Sequence, residues 1–111
     1  MFTLIKNRKI VPEVLFALRG RFPEKIDVAV HNSKDGGYWI EIKNFQGCVT
    51  QADTGSELFQ MVNDAIYTYL DIPEEYTPFV PTYFPPEELR KNLNIKIPES
   101  FLQKDIVFQR T

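Results

Sequence analysis

The chain has 111 residues, 8 prolines, 14% aromatic and 25% charged residues, and a formal net charge of −2. That length fits one domain with appendages, because a domain core typically closes with about 100 to 150 residues. The longest apolar run, Val14 to Leu18, is far short of the ~20 residues of a membrane span, no apolar leader is visible, and the lone Cys48 allows no intrachain disulfide, so a cytoplasmic location is expected.

Charge is unevenly spread. Residues 1–25 carry +4, residues 26–87 carry −8 and residues 88–111 carry +2. An acidic middle repels nucleic-acid phosphates and suits a basic protein partner, although it also serves plain solubility.

Residues 1–24 read as a basic extension. Pro12 in a first helical turn, Val11, Leu15 and Leu18 at helical spacing and Gly20 as a stop predict a helix of about two turns that must dock to be stable. Residues 25–72 read as the central domain. Ile26, Val28 and Val30 alternate with polar residues, as do Tyr38, Ile40 and Ile42, which predicts two half-buried strands joined by a turn at Gly36-Gly37. The simplest register places Val30 opposite Tyr38, Val28 opposite Ile40 and Ile26 opposite Ile42. The other face then pairs Lys25 with Lys43, Asp27 with Glu41, and Ala29 with Trp39.

A third strand, Cys48 to Ala52, follows a turn ending at Gly47. Its facing is open, since Cys48, Thr50 and Ala52 offer a close-packed side and Val49 the larger apolar group. Thr54 and Glu57 then form a T-x-x-E capping box for one helix from about residue 55 to Leu70, with Leu58, Val62, Ala65, Ile66 and Tyr69 along its apolar stripe. Residues 73–111 form a third region. Five prolines interleaved with Tyr76, Phe79, Tyr83 and Phe84 forbid a long helix and predict an extended arm docked on this subunit or a neighbour. Leu93 to Leu102 looks like the strand and first helical turn of a ribbon-helix-helix module, but only 13 residues follow Pro98, so DNA binding is expected to be weak or absent.

The chemistry-bearing residues are few. His31 and Cys48 are the single histidine and cysteine, too few for the usual three or four ligands of a zinc site, and nothing aims one at the other for nucleophilic catalysis. Cys48 reads as a small buried residue beside a tight turn. Asp27 and Asp64 read as surface carboxylates, since chemistry on metal ions needs several carboxylates converging on them. No cofactor, metal or catalytic group is expected. Asp27, Glu41 and Trp39, on the sheet face away from the helix, are the candidate partner contacts, with Trp39 as the anchor unless the N-terminal helix or the arm covers it.

The order DGGYWIEI, GCVTQADT and a helix ending in YTYL resembles the N-terminal domain of HicB-type antitoxins. Its members typically carry a GGY-like hairpin, a PGC-like turn and a D-T-x-x-E-A-type helix start. Gly36, Gly37, Gly47, Cys48, Thr54 and Glu57 carry the resemblance, while Phe45-Gln46-Gly47 replaces the usual Leu-Pro-Gly and Leu58 replaces a favoured alanine. The resemblance covers about residues 25–71. It implies an α+β fold, a reduced relative of RNase H: a three- to four-stranded antiparallel sheet with one long helix on one face. It also implies a binding protein, not an enzyme, that occludes a HicA-like toxin, a small basic protein that cleaves messenger RNA. The alternative is a toxin-free, homo-oligomeric binding module.

Overall fold

The computed structural model describes residues 10–95 and the backbone of residues 107–109. Its architecture is α+β. A three-stranded antiparallel sheet in the order β1-β2-β3 comprises β1 (Val28–Asn32), β2 (Tyr38–Ile42) and β3 (Val49–Ala52). Before it lies helix α1 (Pro12–Arg19), and after it the long helix α2 (Gly55–Tyr69). A 3-10 helix (Glu74–Phe79), β4 (Pro81–Tyr83), helix α3 (Glu87–Asn92) and β5 (Val107–Gln109) complete the chain. The additional strands pair with each other, β4 parallel to β5, and do not extend the first sheet.

The hairpin register differs from the simplest one by two residues. Val28 pairs with Ile42, Val30 with Ile40 and Asn32 with Tyr38. A shift of two preserves which face each side chain occupies, so the aliphatic set remains together. The reason is a shorter loop: the Ser33 N–H donates to the Gly37 carbonyl at 3.1 Å and the Gly36 N–H to Ser33 at 3.2 Å. The strands therefore continue through His31 and Asn32. Gly37, at φ 76°, also passes so close to β3 that a Cβ would lie 2.8 Å from the Ala52 carbonyl oxygen.

The third strand resolves in favour of its small residues. Cys48 and Ala52 are buried, whereas Val49 is 52% exposed on the opposite face. Close approach of α2 to β3 explains this choice, with the Cys48 Sγ only 3.9 Å from the Ala65 carbonyl.

The capping box forms as its residue types require. The Thr54 hydroxyl accepts from the Glu57 N–H at 3.2 Å, and Glu57 Oε1 accepts from the Asp53 N–H at 3.0 Å. Leu58, Val62 and Ile66 are buried against the sheet with Ile26, Ile40 and Ile42. Tyr69, the last member of the expected stripe, is 47% exposed and stacks on Phe45 with ring centroids 4.6 Å apart.

A second face of α2 is buried as well. Asn63 is enclosed between α2 and β4: its Nδ2 donates to the Tyr83 carbonyl at 3.1 Å and its Oδ1 accepts from the Tyr83 N–H at 2.7 Å. One side-chain amide thus satisfies both backbone groups of a strand residue. Tyr67 continues this face, its hydroxyl 3.1 Å from Thr82 Oγ1. The aromatic arm accordingly packs on its own chain, with Tyr76, Val80, Thr82 and Tyr83 buried.

Helix α1 docks on the same side. Leu18 packs with Ile72, Tyr76 and Val80, the Val11 N–H donates to the Tyr76 hydroxyl at 3.0 Å, and Arg21 Nη1 donates to the Leu70 carbonyl at 2.7 Å. That guanidinium satisfies a carbonyl freed at the end of α2. At the other end of the chain, Leu93 to Ile95 is a helix exit and not a strand: Asn94 has φ 54° and the Ile95 N–H returns to the Arg90 carbonyl at 2.9 Å. The rest of the ribbon-helix-helix-like segment, 96–102, lies outside the described residues.

Candidate functional site, the uncovered sheet face

Strand alternation sends Ala29, His31, Trp39, Glu41, Val49 and Gln51 to the face that α2 does not cover. His31 pairs with Trp39 across the hairpin, and the rings stack with centroids 4.0 Å apart and an interplanar angle of 17°. The His31 Nε2 lies 3.8 Å from Glu41 Oε1, has no hydrogen-bond partner and is shielded from solvent. Trp39 retains 38% of its surface, and Val49 beyond it is more exposed still. The result is an indole and an aliphatic side chain open to solvent, beside a carboxylate. Such a surface suits docking better than catalysis.

The structure separates Asp27 from this group. In the observed register Ala29, not Asp27, stands opposite Glu41, and the Asp27 carbonyl accepts from the Lys43 N–H at 2.8 Å. The like-charge pair of Asp27 with Glu41 does not arise, nor does Lys25 with Lys43. Asp27 instead borders a cleft shared with Tyr83, Pro86 and Leu89. Burial, aided by the Asp27 charge, pushes the Tyr83 hydroxyl up to about 12.

The remaining motif residues build the frame. Gly36, Gly37 and Gly47 all have positive φ, at 94°, 76° and 76°, where a Cβ is strained. Thr54 and Glu57 cap α2. Burial raises the Cys48 thiol, which makes it a poor nucleophile. His31 and Cys48 occupy opposite faces of the sheet. Among the described residues no group of three or more His, Cys, Asp or Glu side chains could hold a metal, and Asp27 and Asp64 border different clefts. No helix among them is long and apolar enough to cross a membrane.

Sequence reasoning missed Asn63 and Gly55. The signal for Asn63 was the Phe59, Asn63, Tyr67 spacing of four, a second helical stripe disguised by polar groups. Gly55 permits contact between the first turn of α2 and the exit of α3, where a Cβ would collide with the Leu93 carbonyl.

A UPF0150 protein from Archaeoglobus fulgidus is 33% identical over 48 residues, a stretch making up 43% of this chain and 70% of the relative. The chain belongs to the UPF0150 family, which is HicB-like. No family model and no solved structure matches it.

Proposed function

We infer that this chain is a non-catalytic, antitoxin-type binding protein whose uncovered sheet face docks a small basic HicA-like toxin and blocks its access to RNA. The observation that carries the reading is Trp39, exposed with Glu41 on a face that neither α1 nor the arm covers among the described residues. Docking of α1 and the arm against α2 supports a partner over intramolecular cover. The −8 charge of residues 26–87 would accelerate encounter with a basic protein and make association salt-sensitive.

Co-expression with a small basic protein from the neighbouring reading frame tests this, through co-purification and rescue of growth. The complex should form, RNA cleavage should stop, and Trp39→Ala should raise the off-rate. A toxin that elutes alone and remains active rejects the reading in favour of a toxin-free oligomeric module.

A further inference from the structure

Among the described residues β3 is an edge strand, with β2 on one side and no strand on the other. Its hydrogen-bonding phase follows from the turn before it. The Ile42 N–H donates to the Cys48 carbonyl at 3.0 Å, so alternation along an antiparallel ladder makes Ile40 with Thr50 and Tyr38 with Ala52 the next bonded pairs. Val49 and Gln51 hold the intervening positions. Their N–H and C=O groups therefore point away from β2, to the free edge.

Alongside that edge runs a groove of about 370 Å³ between β3 and α2, bordered by Thr50, Met61, Asp64, Ala65 and Tyr69. Asp64 is the one charged side chain among the described residues lining it. Partial burial raises its carboxyl, so a cation placed there would relieve a cost already present. The edge is continuous with the Trp39 face through Gln51, its cross-strand neighbour.

We propose that this edge and groove receive an extended segment of a basic protein as a fourth strand beside β3, with an arginine or lysine on Asp64 and aliphatic side chains against Met61, Ala65 and Tyr69. Outward groups of Val49 and Gln51 supply the backbone bonds, and the groove reads alternate side chains, as in strand-addition recognition. The segment's basic character rests on the function inferred above; its place rests on the edge geometry. A second copy of the chain fits less well. Pairing β3 with another β3 would turn Cys48, Thr50 and Ala52 of that copy toward the groove, side chains too small to fill it and without a cation for Asp64.

The test is titration of the ¹⁵N-labelled chain with a blocked heptapeptide, threonine-valine-threonine-arginine-threonine-valine-threonine, whose valines and arginine share one face. The Val49 and Gln51 amides should shift and gain protection from exchange, and the peptide with glutamate for arginine should bind at least about tenfold more weakly. Val49→Pro removes an outward donor that the ladder to β2 does not use, and should abolish binding. Asp64→Lys, at an exposed helical position, should reverse the preference between the two peptides and keeps the test decisive if the proline variant unfolds. Unperturbed Val49 and Gln51 amides at saturating peptide would overturn the proposal. So would protection that grows with protein concentration alone, which assigns the edge to a second copy. If a toxin is captured equally by wild type and by folded Val49→Pro, the groove proposal falls and the antitoxin reading stands. If the peptide adds to β3 while no basic protein is captured, the groove stands without the antitoxin.

Discussion

On the helix-covered side of the sheet Ile40 is fully buried, while Trp39, its chain neighbour on the same strand, keeps 38% of its surface and has a histidine rather than a helix for company. The covered side is closed twice. Leu58, Val62 and Ile66 seal it, and beside them Asn63 and Tyr67 fasten the arm along α2. Among the described residues the open side is joined by cross-strand contacts such as that of His31 with Trp39. The difference teaches that stability and the proposed recognition fall on alternate residues of the same strands, so a substitution should disturb one and spare the other.

Ile40→Ala is the largest expected break. Removing a buried aliphatic group should cost ~2 to 5 kcal/mol and lower the melting temperature in proportion, read by thermal unfolding. Partner docking by the fraction that remains folded should be unchanged. If docking fails in parallel with Trp39 still solvent-exposed, the two faces are not independent.

Alkaline pH should weaken the covered side selectively. The Tyr83 hydroxyl is held up to about 12 in the folded chain, against about 10 in the unfolded one. Between those values the unfolded chain gives up a proton that the folded chain retains, so stability present in full below pH ~10 is lost as pH rises through about 12. The loss from this group amounts to about 2 to 3 kcal/mol. Denaturant melts across that range should show the slope in wild type and a flatter one in Tyr83→Phe. An unchanged slope would mean that other groups carry the alkaline transition.

Asn63→Ala should cost about 1 to 3 kcal/mol, because it leaves the Tyr83 N–H and C=O enclosed without their partner. Hydrogen exchange of the Tyr83 amide should accelerate, while the amides of β2 keep their protection. Smallest in stability is Trp39→Ala, within about 1 kcal/mol of wild type, since its ring is far from fully buried. Its effect should fall on the partner's dissociation rate.

Much of the frame was legible because it depends on local chemistry. The T-x-x-E capping box placed the start of α2 at Gly55, and the alternation of Val28, Val30, Ile40 and Ile42 assigned the covered face. Register was not legible, because a two-residue shift leaves every apolar residue on its own face; only the loop from Ser33 to Gly37 distinguishes the alternatives. That shift moved Asp27 away from Glu41 and gave Trp39 the company of His31. The facing of the third strand stayed open because the size of Val49 competed with the small Cys48 and Ala52, and the close approach of α2 decides it. Asn63 was hidden because its partner, Tyr83, lies twenty residues further along the chain. The Phe59, Asn63, Tyr67 spacing marks a second helical face but does not say which distant segment it meets.

The stack of His31 on Trp39 joins the chain's single imidazole to its single indole. All tryptophan emission therefore originates at one point on the proposed docking face. Exclusion of water by a bound protein shifts the spectrum of such a half-exposed indole to the blue. The protein thus contains its own optical gauge, by which occupancy of that face can be followed in unlabelled material.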